Sequence, residues 1–261
     1  MDAASDFFGE WHVPRKAITM GVGTILNAKR VLLMAFGEHK AGIIKRAVEG
    51  EISTSVSASY LQEHRNAMFV LDPAAAANLS AAGVVTGSPD ALVEVVEFAD
   101  FECPGCGYFA TIEEPDIMAR LVATGEVRFR FMDYPLDMHR NAVAAHNAAA
   151  CANEQGKFWE MHDAIYRTQD RWNTQASQNP KRALKQLAGD AGVDTKAWEE
   201  CFDSGRKLPQ IAANRREGER LRVQFTPSFK IGDQLIPRSL SYDQMRGLVA
   251  AEKVRIMANR S

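Results

Sequence analysis

Cys103 and Cys106 lie three residues apart in "VVEFADFECPGC" (Val95 to Cys106), separated by Pro104 and Gly105. On a helix, positions i and i+3 share a face, which brings two sulfurs within disulfide reach. A cysteine at a helix start is stabilised as a thiolate by free backbone N–H groups and the helix dipole, so Cys103 is the expected nucleophile, its pKa below the usual value of about 8.5. Pro104 suits the first helical turn, where its missing N–H is not needed. Cys106, one turn deeper and shielded, is the expected resolving thiol. Glu97, six residues before Cys103, stands inside an apolar run. A carboxyl buried there would hold its proton to a raised pKa and could exchange it with Cys106, through water, as that thiol attacks or leaves. The alternative is a strand residue paired with a nearby Lys or Arg.

A second piece with chemical meaning is Thr226-Pro227 in "VQFTPSFKIG". A proline opening a strand after a threonine is a plausible cis bond, though the dipeptide alone is a weak signal. A different chemistry would make Cys103 and Cys106 half of a zinc site, completed by His139, His146 or His162. Against it, no second closely spaced ligand pair occurs, and a closed zinc site has no use for Glu97. Trp159, in "GKFWEMHD", reads as aromatic packing with no catalytic task, and "NRREGERLR" as a solvated helix face.

The elements that must position these residues follow from periodicity. Leu92 to Ala99 is a short apolar run suited to a strand covered on both faces. A helix should run from the cysteines through "YFATIEEPDIMARLVATG", kinked or restarted at Pro115. Glu126 to Met132 alternates as a second strand, which completes a βαβ unit with a right-handed crossover. From His139 to about Leu221 the pattern is almost wholly helical. Ser228 to Ile231 and Gln234 to Ile236 form a hairpin around Gly232-Asp233, and Tyr242 to Val254 closes as a helix. A βαβ half and a ββα half flanking a helical insertion at about 139–221 is the plan of an elaborated thioredoxin-like α/β fold.

Residues 1 to about 70 give two or three amphipathic helices and no clearly alternating strand, so a helical N-terminal extension is expected. "DPAAAANLSAAGVVTGSPDA" reads as a linker with a turn at Gly87 to Asp90. The division is 1–82, extension and linker, and 83–261, catalytic domain. The extension reads as packing on the main domain, with dimerisation or membrane-surface contact as the functional alternative.

The totals agree with site chemistry over scaffolding. At 261 residues and 46% apolar, the chain can build a core without covalent staples. Its 31 basic and 33 acidic residues nearly cancel, so nothing calls for nucleic acid. Four cysteines are too few for a disulfide scaffold. No apolar run reaches the roughly 20 residues of a membrane span, because Asn27, Lys29 and Arg30 interrupt it. Arg15-Lys16 before Ala17 to Leu26 outlines an export signal, but acidic residues precede it and no convincing cleavage site follows.

From about Gly83 to Glu252, "VVEFADFECPGC", "FMDYPLDMHRNA", "CANEQGKFWEMHDAIY", "CFDSG" and "FTPSF" occur in an order that resembles the DsbA-like thiol:disulfide oxidoreductases of the bacterial envelope. The resemblance implies Cys103 as nucleophile, Cys106 as resolving thiol, Glu97 as the acid that handles protons, and Thr226 with a cis Pro227 docking substrate backbone beside Pro104 and Gly105. It also implies protein substrates bearing thiols or disulfides, a membrane quinone-linked redox partner, no dissociable cofactor, and an extracytoplasmic location, with a cytoplasmic one as alternative. Strongly oxidising DsbA proteins carry Pro-His between the cysteines. Pro-Gly lacks that side chain, so a potential between about −120 and −270 mV is expected, nearer the middle. Cys151 and Cys201 occupy positions that hold a structural cysteine pair in many actinobacterial-type relatives. Joined, they would close a loop of roughly 50 residues and contribute about 4 kcal/mol; otherwise they are two buried thiols acting as small apolar residues. The alternatives in function are an isomerase or reductase dimerised through the N-terminal extension, and a substrate-binding module using the cis-proline groove alone. Oligomeric state is not fixed by the sequence.

Overall fold

The computed structural model describes residues 20–72 and 74–259. Arg15-Lys16 of the leader-like segment lies outside them. A five-stranded mixed sheet, in the order β3-β5-β4-β6-β7, organises the larger part of the chain. Its strands are β3 (Val84–Thr86), β4 (Val93–Ala99), β5 (Val127–Asp133), β6 (Ser228–Ile231) and β7 (Gln234–Ile236). β4 and β5 run parallel and the other pairings are antiparallel. β4 is central, with Glu97 level with Phe131 on one side and Phe229 on the other.

The crossover from β4 to β5 is one helical rod interrupted twice. It comprises α3 (Pro104–Tyr108), a π turn (Phe109–Glu113), α4 (Glu114–Ile117) and a second π turn (Met118–Val122). The break expected at Pro115 takes this form. A proline cannot donate to the helical ladder, and the wider π turn before it lets the rod continue. Phe109, Ile117 and Leu121 of the rod pack on Val93, Val95, Phe129 and Phe229 of the sheet. Glu97 shares the strand face of Val93 and Val95, because side chains two apart point the same way. The opposite face buries Phe98, Met132 and Tyr134 with Val223.

The insertion consists of α5 (Ala142–Asn153), α6 (Phe158–Arg167), α7 (Gln169–Trp172), α8 (Lys181–Asp190), α9 (Thr195–Ser204) and α10 (Leu208–Arg220). Alanines 145, 148, 149 and 152 of α5 let its neighbours approach closely, and Trp172 and Trp198 fill the interior. The indole N–H of Trp198 donates to the Ala148 carbonyl at 2.9 Å. Cys151 of α5 and Cys201 of α9 are joined in a disulfide, and both are fully buried. α11 (Tyr242–Ala258) opens with a capping box at Ser241 and Gln244 and lays Met245 and Val249 on the sheet.

The N-terminal segment is not only helical. Besides α1 (Val22–Leu26) and α2 (Ala41–Glu49) it contains β1 (Val31–Ala35) and β2 (Ala67–Leu71), paired in parallel. Their runs, "VLLMA" and "AMFVL", are apolar throughout, which hid the period-2 signal of a strand. β3 was also concealed, within a stretch that reads as linker. Gly83 and Gly87 flank it at φ +63 and +94, and a Cβ on either would meet a β5 carbonyl at 2.5 or 2.6 Å. Glycine is what lets this edge strand dock. The N-terminal unit rests on α10: Ala213 joins its core, and Arg216 and Gln210 donate to the carbonyls of Ala76 and Ser80 at 2.6 and 2.8 Å.

Candidate active site

Cys103 is the N-cap residue of α3 and Pro104 its first residue. Both thiols are free; Cys106 is fully buried, whereas Cys103 keeps 9% exposure. The Thr226-Pro227 peptide bond is cis. It brings the Thr226 carbonyl to 3.3 Å from the Cys103 sulfur, which donates to it. A Cβ added to Gly105 would lie 3.5 Å from Pro227 and 3.7 Å from the Cys103 sulfur, in ordinary contact. Cys103, Cys106, Pro104, Gly105, Thr226 and Pro227 thus converge from two distant parts of the chain.

The two thiols are electrostatically unlike. Cys103 is lowered to about 5, chiefly because the Cys106 thiol hydrogen-bonds to it, against the opposing effect of burial. Thr226 helps next, and the backbone N–H groups of Cys106 and Gly105 add the smallest share. The helix start contributes as its position predicts, but the neighbouring thiol contributes more. Cys106 is pushed well above its ordinary value by burial and then by the charge of Cys103 and Glu97. Glu97, 1% exposed, is raised to about 8 by burial. Its Oε2 has no hydrogen-bond partner, so the ion-paired strand carboxylate is not what the structure contains.

Asp100 is a member of the site that the sequence reading passed over. Its backbone N–H donates to the Cys106 sulfur at 3.5 Å, and its carbonyl accepts from the Cys103 N–H at 3.1 Å. Its buried carboxylate accepts from the N–H groups of Glu102 and Leu136 at 2.7 and 2.8 Å, and its Oδ2 lies 2.8 Å from His139 Nδ1. That hydrogen bond is the main reason His139 is raised, with the charge of Cys103 adding to it. Gln169 donates to the carbonyls of Phe101 and Cys103 at 2.7 and 3.0 Å, clamping the loop from the insertion side. An acid at the end of a strand beside a CxxC was the available signal; the role of Gln169 had none.

The candidate zinc ligands do not gather around the dithiol. His146 Nδ1 lies 2.6 Å from Asp133 and His162 Nδ1 lies 3.1 Å from Asp163. Among the described residues no group of three or more His, Cys, Asp or Glu could hold a metal ion. Trp159 packs against Phe129 and Phe158, ring centroids 6.2 and 5.2 Å away.

A dithiol at a helix start, facing a cis-proline loop over a buried acid, on a five-stranded mixed sheet with a helical insertion, defines a DsbA-like thioredoxin fold. The chain belongs to the thioredoxin family whose model matches residues 80–251. Among solved structures it is similar to a thioredoxin-like oxidoreductase from Silicibacter pomeroyi DSS-3, at 24% identity and a TM-score of 0.55, covering 66% of this chain and 92% of that one. Oxidised BdbD from Bacillus subtilis is similar at 23% identity and a TM-score of 0.58, with 66% and 96% covered. Alpha-DsbA1 from Wolbachia pipientis is similar at 17% identity and a TM-score of 0.60, with 68% and 94% covered. At these identities the likeness is one of fold.

Curated relatives of another kind match a shorter stretch. The glucosamine-6-phosphate deaminase of Lacticaseibacillus paracasei is 48% identical over 81 residues, 31% of this chain and 34% of that protein. That of Shewanella loihica is 55% identical over 75 residues, 28% of each. The chain spans about a third of the length of the curated relatives it matches.

Proposed function

We propose that the protein exchanges disulfides with polypeptide substrates through a mixed disulfide on Cys103. In the oxidising direction a substrate thiolate attacks Cys103 of the disulfide form, and the sulfur–sulfur bond electrons pass to Cys106. Glu97 supplies the proton that neutralises Cys106. The substrate's second thiolate then attacks the substrate sulfur of the mixed disulfide, which forms the substrate disulfide and releases Cys103 as a thiolate. The observation that carries this reading is the asymmetry of the pair, one sulfur lowered to about 5 and its partner raised. A low-pKa thiol is both the better leaving group and the one already ionised at neutral pH.

Substrate docking falls to Thr226 and Pro227, whose neighbour Phe225 is 61% exposed. Tyr108, on the cysteine helix, and Met138, beside His139, are 55% and 79% exposed. Apolar side chains around a reactive sulfur suit unfolded polypeptide better than a small charged thiol. Net oxidation is favoured over isomerisation by the acidity of Cys103; a membrane quinone-linked partner and an extracytoplasmic setting follow from the family resemblance. Among the described residues no helix is long and apolar enough to cross a membrane.

The deaminase-like stretch is assigned to the N-terminal part of the chain, running slightly past residue 79, because its 81 residues find no room after the thioredoxin match ends at 251. Its β1-α2-β2 unit with parallel strands fits a piece of a doubly wound sheet. Ammonia release from glucosamine 6-phosphate measures whether any of that activity accompanies it.

The central test is trapping and titration. Cys106→Ser should accumulate the mixed disulfide with a reduced peptide, and Cys103→Ser should abolish oxidation of reduced ribonuclease. If Cys103 ionises like free cysteine, or if Cys103→Ser still transfers disulfides, the reading fails. Comparing oxidation of reduced ribonuclease with refolding of scrambled ribonuclease separates oxidase from isomerase.

A further inference from the structure

Four side-chain atoms form an unpartnered polar seam beneath the dithiol: Glu97 Oε2, Glu114 Oε2, His162 Nε2 and Tyr166 Oη, all buried and none with a hydrogen-bond partner. Buried polar groups are nearly always satisfied, by protein or by ordered water, so a cluster of this kind marks a hydrated site. The groups lie within electrostatic reach of one another. Cys106 feels the charge of Glu97, Glu114 feels that of Glu97, and Tyr166 feels Cys106, Glu97, Asp100 and Glu114. At its far end Glu114 Oε2 lies 3.6 Å from His162 Nε2, while His162 Nδ1 meets the half-exposed Asp163 at 3.1 Å.

Glu114 is placed inward by the interruption of its helix. It is the first residue of α4, directly after the π turn, and Pro115 follows. From there it lines a cleft of about 370 Å³ with Thr86, Pro115, Trp159, Asp163 and Arg167. Phe101, Phe131, Phe158, Trp159 and Tyr166 surround the His162 ring at centroid distances of 4.9 to 6.0 Å. A carboxyl held neutral in such surroundings can give up a proton and take one back without leaving a lasting charge. Glu114, like Glu97, is raised to about 8 by burial.

We propose that Glu114, assisted by His162, is the second station of a proton path that leads from Cys106 through Glu97 and bridging water to the cleft at Asp163 and Arg167. The inference rests on the proton-exchanging role read for Glu97. As the Cys103–Cys106 bond breaks, its electron pair goes to the Cys106 sulfur, which takes the Glu97 proton. Glu97 is reloaded from the Glu114 carboxyl, and Glu114 from water in the cleft. The same protons run outward when Cys106 is deprotonated to attack. Glu114 is a positioning and relay residue; it does not touch substrate. The groups facing the path are Glu97 of β4, Cys106 of α3, Glu114 of α4, and His162, Asp163, Tyr166 and Arg167 of α6.

The test is the oxidised-minus-reduced infrared difference spectrum of the full chain in the region of protonated carboxyls, for wild type, Glu97→Gln and Glu114→Gln. Two bands should respond to the redox state, each variant removing one. Glu114→Gln should also slow reduction of the enzyme by a peptide dithiol about tenfold at pH 7, with added imidazole restoring part of the rate through the cleft. If the Glu97 band responds and no Glu114 band does, the path does not include Glu114 and the Glu97 role stands alone. If neither band responds, the Glu97 role falls with it. Should Glu114→Gln not fold, the band that remains in Glu97→Gln reports Glu114 by itself.

Discussion

At the residue scale the site combines three departures from ordinary acidity: Cys103 down, Glu97 and Cys106 up. Gly105 bears on the first. Its open Cβ position, 3.7 Å from the Cys103 sulfur, accepts a side chain, and Gly105→His should place a cation beside the thiolate. The reduced form would gain stability, and the potential should rise by about 30 mV for each tenfold gain in thiol acidity, measured against glutathione. A fall in potential would contradict this. The buried carboxyls predict a pH dependence of folding. Glu97 and Glu114 keep their protons up to about 8 in the folded protein, whereas the unfolded chain releases them near 4.5. Between those values the native state binds more protons, so stability falls as pH rises. Glu97→Gln or Glu114→Gln should therefore leave stability little changed at pH 4 and raise it by about 3 kcal/mol at pH 7, read by urea unfolding at both. The dithiol was legible in the sequence as a short motif with its own chemistry, Glu97 as an acid inside an apolar run beside it, and Thr226-Pro227 through the family resemblance. Asp100 and Gln169 were not, since their contribution lies in hydrogen bonds to loop backbone that no spacing announces.

At the scale of elements, the periodic segments were readable and the concealed ones share a cause. β4, β5, the final hairpin and the insertion helices lie close to where hydrophobic pattern and turn residues put them. β1 and β2 are too uniformly apolar to alternate, and β3 has three residues between glycines. The π turns of the cysteine rod follow from Pro115 only in outline. The disulfide between α5 and α9 closes a loop with a sequence separation of 50. Replacing Cys151 and Cys201 together by alanine should cost about 4 kcal/mol in stability while leaving Cys103 acidity intact, since that acidity is set by Cys106, Thr226 and the helix start. Loss of Cys103 acidity in a folded double variant would mean that the insertion tunes the site.

At the scale of the whole molecule, the described residues of the N-terminal unit and the thioredoxin part meet along α10. All four cysteines lie beyond that unit. A chain beginning at residue 80 should keep disulfide transfer and the Cys103 titration, with a modest stability loss from uncovering Ala213 and leaving Arg216 without the Ala76 carbonyl. Activity lost in a folded truncation would assign the N-terminal unit a part in the reaction. Among the exposed apolar side chains of that unit are Leu32, Met34 and Phe36, and its two-stranded sheet is below the size that is stable alone.

The sealed bond inside the insertion divides the sulfur inventory into two populations with separate fates. One pair is free and reaches solvent only through Cys103; the other is bonded and locked in the interior. Counting alkylatable sulfurs under native reducing conditions thereby doubles as a gauge of integrity: an intact molecule offers Cys103, and any larger count reports a protomer that has opened.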